Sequence, residues 1–249
     1  MLSFGRLSLG GSHLLLSEKP FRCQQRFLRS IRRVIAELTS NTFHFERVAA
    51  VGPDLACLEW LLHCGATKVV MSDGSIITGI SSMKKYISSL GFNVNSLKPP
   101  CLISPECSLE QLSKASFYNA RWSHAPSPYI LKVDASDSAI ADPGFFYFRE
   151  CRGIEELVLN FCDYFTDEGI RILATGRTVF TLKNLEIVMN SSMSDASLYW
   201  LIRMKSLQRM HMYFLPYVTN PSGVLRQLKL ALPKCKVTFP PVGKVGYGY

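Results

Sequence analysis

Apolar side chains recur at fixed offsets through the C-terminal half of the chain. One unit carries Ile154, Leu157, Leu159 and Cys162, and the next carries Leu182, Leu185, Ile187 and Asn190. Two more copies are Leu207, Met210, Met212, Leu215 and the partial set Leu232, Cys235, Val237, while Leu131, Val133, Ser136 fit as a degenerate first copy. The last positions of successive copies lie about 26, 28 and 25 residues apart. A fixed period predicts stacked, similar units that bury the same positions.

Each unit combines a strand signal with a helix signal. The apolar positions alternate as in a half-buried strand. A helix-start signal then follows at 142–143, 166–167, 194–195 and 220–221, where Asp, Thr, Ser or Asn supplies a capping side chain, twice before a proline. The period lies in the range of leucine-rich repeats. We therefore predict an α/β fold, a short leucine-rich-repeat solenoid of about four strand-helix repeats over residues 129–239.

The sequence before the repeats is of a different kind. Pro53, an apolar run and Gly65 predict a helix over 53–63, and two strands are predicted at 68–71 and 76–77 around the turn 72–75. Another helix is predicted from Ser81 to Leu90. The proline-rich stretch 93–128 predicts an irregular connection with one helix near 109–115. We interpret residues 41–128 as an N-terminal α+β capping region, and residues 240–249 as a tail.

Positive charge is concentrated at the start of the chain. The formal net charge is +9, but residues 1–35 hold seven basic residues against Glu18 alone, which leaves 21 basic and 18 acidic residues afterwards. This basic, acid-poor composition predicts a mitochondrial transit peptide over residues 1–40, with the mature chain starting near residues 30 to 45. The alternative is a basic arm that binds RNA or lipid. The nearly balanced remainder does not favour a nucleic-acid partner.

Cysteine and histidine usage gives no metal or redox framework. The eight cysteines form no Cys-x-x-Cys pair, and the five histidines are scattered. This usage favours a reducing compartment. No apolar run is long enough for a membrane helix, and no Gly-Lys-Ser/Thr follows a glycine-rich loop. We therefore expect a non-enzymatic protein that is soluble or peripheral to a membrane.

Several motifs resemble those of a known family. The segments 51–54 (Val-Gly-Pro-Asp), 59–62 (Glu-Trp-Leu-Leu) and 64–66 (Cys-Gly-Ala) resemble the N-terminal signature of ATP synthase subunit s, also called coupling factor B. The segment 133–138 (Val-Asp-Ala-Ser-Asp-Ser) resembles the motif that opens the repeats of that family. A sister family, the distal membrane-arm assembly component 2 of respiratory complex I, shares this motif and the C-terminal repeats.

The resemblance implies a coupling factor on the matrix side of the mitochondrial inner membrane. Such a protein associates with the membrane sector of ATP synthase and supports its coupled proton conduction, peripherally and through protein partners. It also implies Mg²⁺ bound by oxygen atoms of Gly65 and Ser136, although the family has Thr at the second position. Without the resemblance, Gly65 is a helix stop and Ser136 a turn residue. The family's Cys-x-Cys pair is replaced here by Asn160-Phe161-Cys162, so a redox role resting on two vicinal thiols is not expected.

Two other functions remain as alternatives. The sister family implies an assembly factor that binds complex I assembly intermediates, and the repeats alone are compatible with a substrate-recognition adaptor, although residues 36–128 lack the expected ligase-binding motif. In either case the partner face is predicted on the exposed strand positions. The predicted rows are Ile130, Glu156, Asn184, Arg209; then Lys132, Val158, Glu186, His211; then Asp134, Asn160, Val188, Tyr213. We expect Val188, His211 and Tyr213 to contribute to docking.

Overall fold

The computed structural model describes residues 41–91 and 128–241. The first range contains α1 (Phe45–Val51), α2 (Pro53–His63), β1 (Lys68–Met71), β2 (Ile76–Ile77) and α3 (Ile80–Ser89). The second contains β3 (Ile130–Asp134), a 3₁₀ turn (Asp142–Gly144), α4 (Phe145–Glu150), β4 (Glu156–Val158), α5 (Asp167–Leu173), α6 (Thr178–Thr181), β5 (Asn184–Val188), α7 (Ser197–Leu201), β6 (Arg209–Tyr213), α8 (Pro221–Ala231) and β7 (Lys236–Thr238). The predicted leader, the helix near 109–115 and most of the predicted tail lie outside these ranges.

All seven strands form one mixed sheet in the order β2-β1-β3-β4-β5-β6-β7. Strands β3 to β7 are parallel and follow chain order, while β1 pairs antiparallel with both β2 and β3. Parallel neighbours need a crossover, and helices supply it between successive strands here. The predicted α/β class and the predicted strand-helix alternation are therefore confirmed. The strands predicted at 68–71 and 76–77 and the helix predicted at 53–63 are also confirmed.

The register of β3 corrects the predicted rows. Lys132 pairs with Glu156 and Asp134 with Val158, so the prediction placed β3 two residues out of register. Ala135 and Ser138, rather than Val133 and Ser136, occupy the places of Leu159 and Cys162. A shift of two residues leaves every side chain on its original face of the strand, so the alternation of apolar residues cannot detect it. The predicted rows across β4, β5 and β6 agree with the observed register.

One buried row of side chains crosses all five parallel strands. Val133, Leu157, Leu185, Met210 and Val237 are register partners in turn, and none is more than 4% exposed. Truncating Leu157, Leu185 or Met210 to alanine costs ~2–5 kcal/mol, because the removed contacts leave a cavity that the neighbours fill only partly. The repeated apolar positions thus form the continuous core of the sheet.

Helix α2 joins the N-terminal region to this core. Every residue from Pro53 to Leu62 is buried, in keeping with a helix that is apolar on nearly all sides. The Trp60 ring stacks on Tyr147 at 5.4 Å and meets the edge of Phe148 at 5.0 Å. At Gly144 an added Cβ would lie 2.2 Å from a Trp60 ring carbon, so the close approach of α2 requires glycine. With β1 hydrogen-bonded to β3, the N-terminal region covers that edge of the parallel strands.

Two of the four predicted helix caps are observed. Thr166 Oγ1 accepts a hydrogen bond from the Glu168 amide, and Asn220 Oδ1 accepts one from the Gly223 amide. At Ser194 the hydroxyl accepts from the Ala196 amide, but α7 begins only at Ser197 and has no side-chain cap.

Asp142 was predicted to cap the helix of its own unit, but its carboxylate instead accepts hydrogen bonds from residues of the next unit. It accepts from the Thr166 amide at 2.7 Å, the Thr166 hydroxyl at 2.7 Å and the Gly169 amide at 2.9 Å. The same arrangement repeats along the chain. Asp167 accepts from the amide and hydroxyl of Ser194, and Asp195 accepts from those of Thr219. We call this series the carboxylate ladder. Each carboxylate, at or just before the start of its own helix, is thus bound to the loop that precedes the helix of the next unit.

The ladder begins in the N-terminal region. Asn41 Oδ1 accepts from the Ala141 amide at 2.8 Å and from Trp60 Nε1 at 3.1 Å, and its Nδ2 donates to the Ala139 carbonyl at 2.9 Å. Ala141 precedes Asp142 just as Thr166 precedes Asp167. A buried amide therefore takes the place of the missing carboxylate at the first rung, and residues 41–91 are tied to the repeats by the same chemistry.

Candidate partner-binding face and metal site

The residues predicted to bind a partner lie together on the outer face of the strands. Val188 and Tyr213 are register partners on β5 and β6, and both are half-buried. His211 lies two residues earlier on β6, where its Nδ1 is 2.7 Å from Thr238 Oγ1 on β7. The alternation of side chains along a strand places His211 and Tyr213 on the same face. The three side chains thus form a continuous patch.

A second row, missed by the sequence prediction, borders this patch where the strands end. Asp137, Phe161, Met189 and Phe214 occupy the same place in successive units and have positive φ angles of 57°, 60°, 56° and 50°. Phe161 is 53% exposed, Met189 40% and Phe214 38%. Each left-handed residue costs ~1–2 kcal/mol, so bulky side chains are unusual here. We call these four residues the strand-end row. Their fixed offset of four residues from the buried row was the available sequence signal.

Main-chain hydrogen bonds hold the row together. The Asp137 amide donates to the Asn160 carbonyl at 2.8 Å, the Phe161 amide to the Val188 carbonyl at 2.8 Å, and the Met189 amide to the Tyr213 carbonyl at 2.9 Å. The parallel main-chain bonding therefore continues beyond the ends of β3, β4 and β5. The three exposed apolar side chains consequently lie side by side on a fixed backbone.

The loops that carry this row have a distinct charge. The connections from strand to helix, residues 135–141, 159–166, 189–196 and 214–220, contain three acidic residues and no Lys or Arg, although the whole chain contains 28. The acids are Asp137, Asp163 and Asp195. These loops follow the C-terminal ends of the parallel strands, and we call this end of the strands the strand-to-helix edge. Its surface combines apolar side chains with negative charge.

Gly65 and Ser136, the predicted magnesium ligands, lie on two segments that are hydrogen-bonded to each other. The Cys64 carbonyl accepts from the Ala139 amide at 2.8 Å, and the Asp134 carbonyl accepts from the Thr67 amide at 3.0 Å. Gly65 lies between Cys64 and Thr67, just after the end of α2, and has a φ angle of 90°. Ser136 lies between Asp134 and Ala139 on the other segment. The junction between the N-terminal region and the repeats therefore contains both predicted ligands.

Ser136 is hydrogen-bonded to a carboxylate. Its hydroxyl donates to Asp134 Oδ1 at 2.6 Å, and its amide donates to the same oxygen at 3.0 Å. On the next strand Asn160 Nδ2 donates to Glu186 Oε1 at 2.7 Å, while Asn160 Oδ1 is buried and has no hydrogen-bond partner. An amide oxygen left without a partner is costly, so a cation there would be favourable. In residues 41–91 and 128–241, no three His, Cys, Asp or Glu side chains cluster as metal ligands.

The cysteines of the described ranges are buried thiols. Burial raises the pKa of Cys57, Cys151 and Cys162, and raises that of Cys64 to about 12. Cys162 Sγ donates to the Ala135 carbonyl at 3.0 Å, one unit back. A thiol with a raised pKa is a poor nucleophile and a poor metal ligand at neutral pH. These cysteines therefore act as core residues.

A cleft of about 340 Å³ lies near the N-terminal ends of β3, β4 and β5. Its two cationic side chains form salt bridges with carboxylates. It is lined by Tyr129, Arg152, Gly153, Glu155, Phe180, Thr181 and Lys183. Arg152 Nε donates to the buried Asp54 carboxylate at 2.9 Å, and Lys183 Nζ lies 2.7 Å from Glu155. Burial raises the pKa of Asp54, although its bonds with Arg152 oppose the shift. The charged side chains of the cleft are thus engaged in intramolecular salt bridges.

Comparison with known proteins supports the resemblance seen in the motifs. The chain is 24% identical over 245 residues to proteins of Pongo abelii and Homo sapiens that are named "ATP synthase subunit s, mitochondrial". The alignments cover 95% of this chain and 98% of each relative, and a protein of Rattus norvegicus with the same name is also 24% identical. No protein-family profile matches the chain. Among the described residues, no helix is both long and apolar enough to cross a bilayer. The chain is thus similar, along nearly its whole length, to mitochondrial ATP synthase subunit s.

Proposed function

We propose that this chain is a non-enzymatic mitochondrial protein that associates with the inner-membrane ATP synthase on the matrix side and supports its coupled proton conduction. The observation that carries the proposal is the similarity over 95% of the chain to proteins named as a subunit of that enzyme. The buried thiols and the carboxylates engaged in the ladder favour a binding role over a catalytic one.

We interpret the parallel units as leucine-rich repeats. The left-handed positions recur 24, 28 and 25 residues apart, and each unit buries the same apolar positions. Cys162 and Asn190 occupy one consensus position, and Asn190 Nδ2 donates to the Phe165 carbonyl of the preceding unit at 3.3 Å. Stacks of this kind present a ladder of exposed strand residues to partners. The architecture therefore supports a scaffold for protein binding.

The partner site of this proposal is the patch of Val188, His211 and Tyr213 together with the strand-end row. Contiguous, half-exposed aromatic and aliphatic side chains on a fixed backbone suit a protein interface, where such residues carry most of the affinity. The absence of Lys and Arg from the strand-to-helix edge favours a partner surface that offers cations as well as apolar groups. Membrane association through this site would be indirect, through the protein partner.

Mg²⁺ at the junction of Gly65 and Ser136 is the second part of the proposal. The available donors are the Gly65 carbonyl, the Ser136 hydroxyl, the Asp134 carboxylate and Asn160 Oδ1, all hard oxygens of the type that magnesium prefers. Replacing the family's Thr by Ser136 keeps the hydroxyl. A bound ion would tie α2 to the end of β3, and so stabilise the contact between the N-terminal region and the repeats.

A thermal-shift titration tests the ion. Mg²⁺ should raise the Tm of the chain, and Ser136→Ala should abolish the increase, whereas Ser88→Ala, an exposed serine on α3, should leave it unchanged. Equal magnesium responses in both variants would exclude Ser136 as a ligand.

Affinity purification from mitochondria tests the partner. The chain should retain subunits of the ATP synthase membrane sector rather than complex I assembly intermediates. The double variant Val188→Asp, Tyr213→Asp should lose them while its Tm stays within a few degrees, because both side chains are already half-exposed. Retention of complex I subunits instead would favour the assembly-factor alternative. An unaltered association of the folded double variant would move the partner site elsewhere.

A further inference from the structure

The connections from helix to strand form the opposite edge of the sheet. Residues 151–155, 182–183, 202–208 and 232–235, together with residues 174–177 between α5 and α6, contain six basic residues and only one acid, Glu155. Of the six, Arg152 and Lys183 are paired with Asp54 and Glu155. The other four are Arg177, Arg203, Lys205 and Lys234, which are exposed and form no salt bridge within the described ranges. These connections lead into the N-terminal ends of the parallel strands, and we call this end of the strands the helix-to-strand edge.

Two apolar side chains protrude from the same edge. Phe180 on α6 is 83% exposed, and Leu230 at the end of α8 is 74% exposed. Both are more exposed than the three apolar members of the strand-end row, where the largest value is 53%. Single exposed apolar residues are common on soluble proteins. A pair that protrudes to this extent, among cations that form no salt bridge with the described residues, is a more specific feature.

Hydrogen bonds show that Phe180 and Leu230 flank one basic loop. Ser206 Oγ donates to the Val179 carbonyl at 2.7 Å, next to Phe180 in sequence. Lys205 Nζ donates to the Ala231 carbonyl at 2.9 Å, next to Leu230. The loop 202–208, which carries Arg203 and Lys205, therefore lies between the two protruding side chains. Apolar groups and cations alternate along this edge.

This combination fits an anionic bilayer better than a protein or a nucleic acid. Protein hot spots lie in desolvated, well-packed pockets, whereas these two side chains are largely exposed to solvent. Nucleic acids use cations and stacking rings and gain little from an aliphatic side chain such as Leu230. A bilayer surface takes up isolated Phe and Leu at the level of its headgroups and attracts Lys and Arg by its charge.

We propose that the helix-to-strand edge binds directly to an anionic lipid bilayer, with Phe180 and Leu230 inserted among the headgroups and Arg177, Arg203, Lys205 and Lys234 on lipid phosphates. This contact is separate from the protein partner of the proposed function. It leaves the strand-to-helix edge, at the other end of the strands, facing away from the lipid and open to a protein.

Fluorescence of tryptophan variants tests the insertion in the full chain. Vesicles of phosphatidylcholine with phosphatidylglycerol should shift the emission of Phe180→Trp to shorter wavelength, relative to the unmodified chain. Phe161→Trp, on the strand-to-helix edge, is the matched control and should show no shift. Vesicles of phosphatidylcholine alone should have little effect on either variant. A Phe180→Trp spectrum that is unmoved by anionic vesicles, or a shift only in Phe161→Trp, overturns the proposal.

Charge reversal tests the cations by vesicle sedimentation. Arg177→Glu with Lys234→Glu should weaken binding at least ~20-fold, since each cation near an anionic surface contributes about fivefold. The control pair, Lys68→Glu with Lys84→Glu, changes the net charge equally but at the start of β1 and on α3, and should retain binding. The basic N-terminal segment is common to every variant. Equal loss in both pairs overturns the proposal, as does RNA binding with the same cation dependence and no tryptophan shift. Purified chain and lipid contain no ATP synthase, so this outcome is independent of the protein partner.

Discussion

The two edges of the parallel sheet differ in charge, in loop construction and in the exposure of their apolar side chains. At the strand-to-helix edge the loops are acidic, their backbones are pinned by the carboxylate ladder, and the apolar side chains lie side by side. At the helix-to-strand edge the loops are basic, and Phe180 and Leu230 protrude singly. A rigid, contiguous surface suits a protein partner, whereas isolated apolar groups among cations suit lipid.

The construction of the loops accounts for the difference in exposure. In the loops after β4, β5 and β6, a left-handed residue near the start is followed near the end by a hydroxyl that the carboxylate of the preceding unit holds. Identical constraints in successive units align their side chains. Shorter connections such as residues 182–183 have no such series, so their neighbours take up individual positions. Repetition of the same hydrogen bonds in successive loops therefore aligns the exposed side chains into a continuous surface. Where these bonds are absent, exposed side chains such as Phe180 protrude singly.

The largest expected effect concerns the rigidity of the strand-to-helix edge. Asp142→Ala should lower the free energy of unfolding by ~3 kcal/mol, because a nearly buried carboxylate gives up three hydrogen bonds and leaves their donors unpaired. Asp195→Ala removes only the exposed bonds to Thr219 and should cost ~1 kcal/mol. Urea denaturation of both variants measures the difference. Equal losses would show that the ladder does not depend on burial.

An intermediate effect separates the two surfaces by function. Phe161→Ser with Phe214→Ser should weaken association with the ATP synthase by ~2 kcal/mol or more, as expected of two interface anchors. Phe180→Ser with Leu230→Ser should leave that association unchanged in detergent, where lipid contacts are absent. Quantitative co-purification of both double variants tests the comparison. Loss of association in the second pair would mean that both edges contact protein.

The smallest effect tests the backbone at two phenylalanines. At Phe161, where φ is 60°, glycine should be more stable than alanine by ~1 kcal/mol, because alanine keeps the cost of the left-handed conformation. At Phe180, inside α6, alanine should be more stable than glycine by ~0.5–1 kcal/mol. Both substitutions remove the same ring, so the Gly-to-Ala difference isolates the backbone. Thermal unfolding of the four variants measures the difference in stability between glycine and alanine at each position. Differences of the same sign at Phe161 and Phe180 would contradict the proposed difference in backbone conformation between the two edges.

Much of the secondary structure was predictable because its signals are local. The period of apolar residues located β4 to β7, and Pro53 with Gly65 bounded α2. The start of β3 was predicted two residues out of register, since Leu131 and Val133 satisfied the pattern as well as Val133 and Ala135 do. Ala135 is fully buried, but a small residue carries little weight in an apolar pattern. Only pairing with β4 distinguishes the two alignments.

The sequence by itself determined the alternation of strands and helices, the buried row from β4 to β7, the family resemblance and the rows of β4, β5 and β6. These features depend on which residues are apolar and on their spacing, and both are written along the chain. The tertiary structure alone decided that Asp142 caps the helix of the next unit, that Asn41 supplies the first rung, and that Phe180 and Leu230 flank one loop. Each of these joins residues 24 or more positions apart, and a carboxylate or amide that can bond nearby backbone equally well carries no local sign of its distant partner.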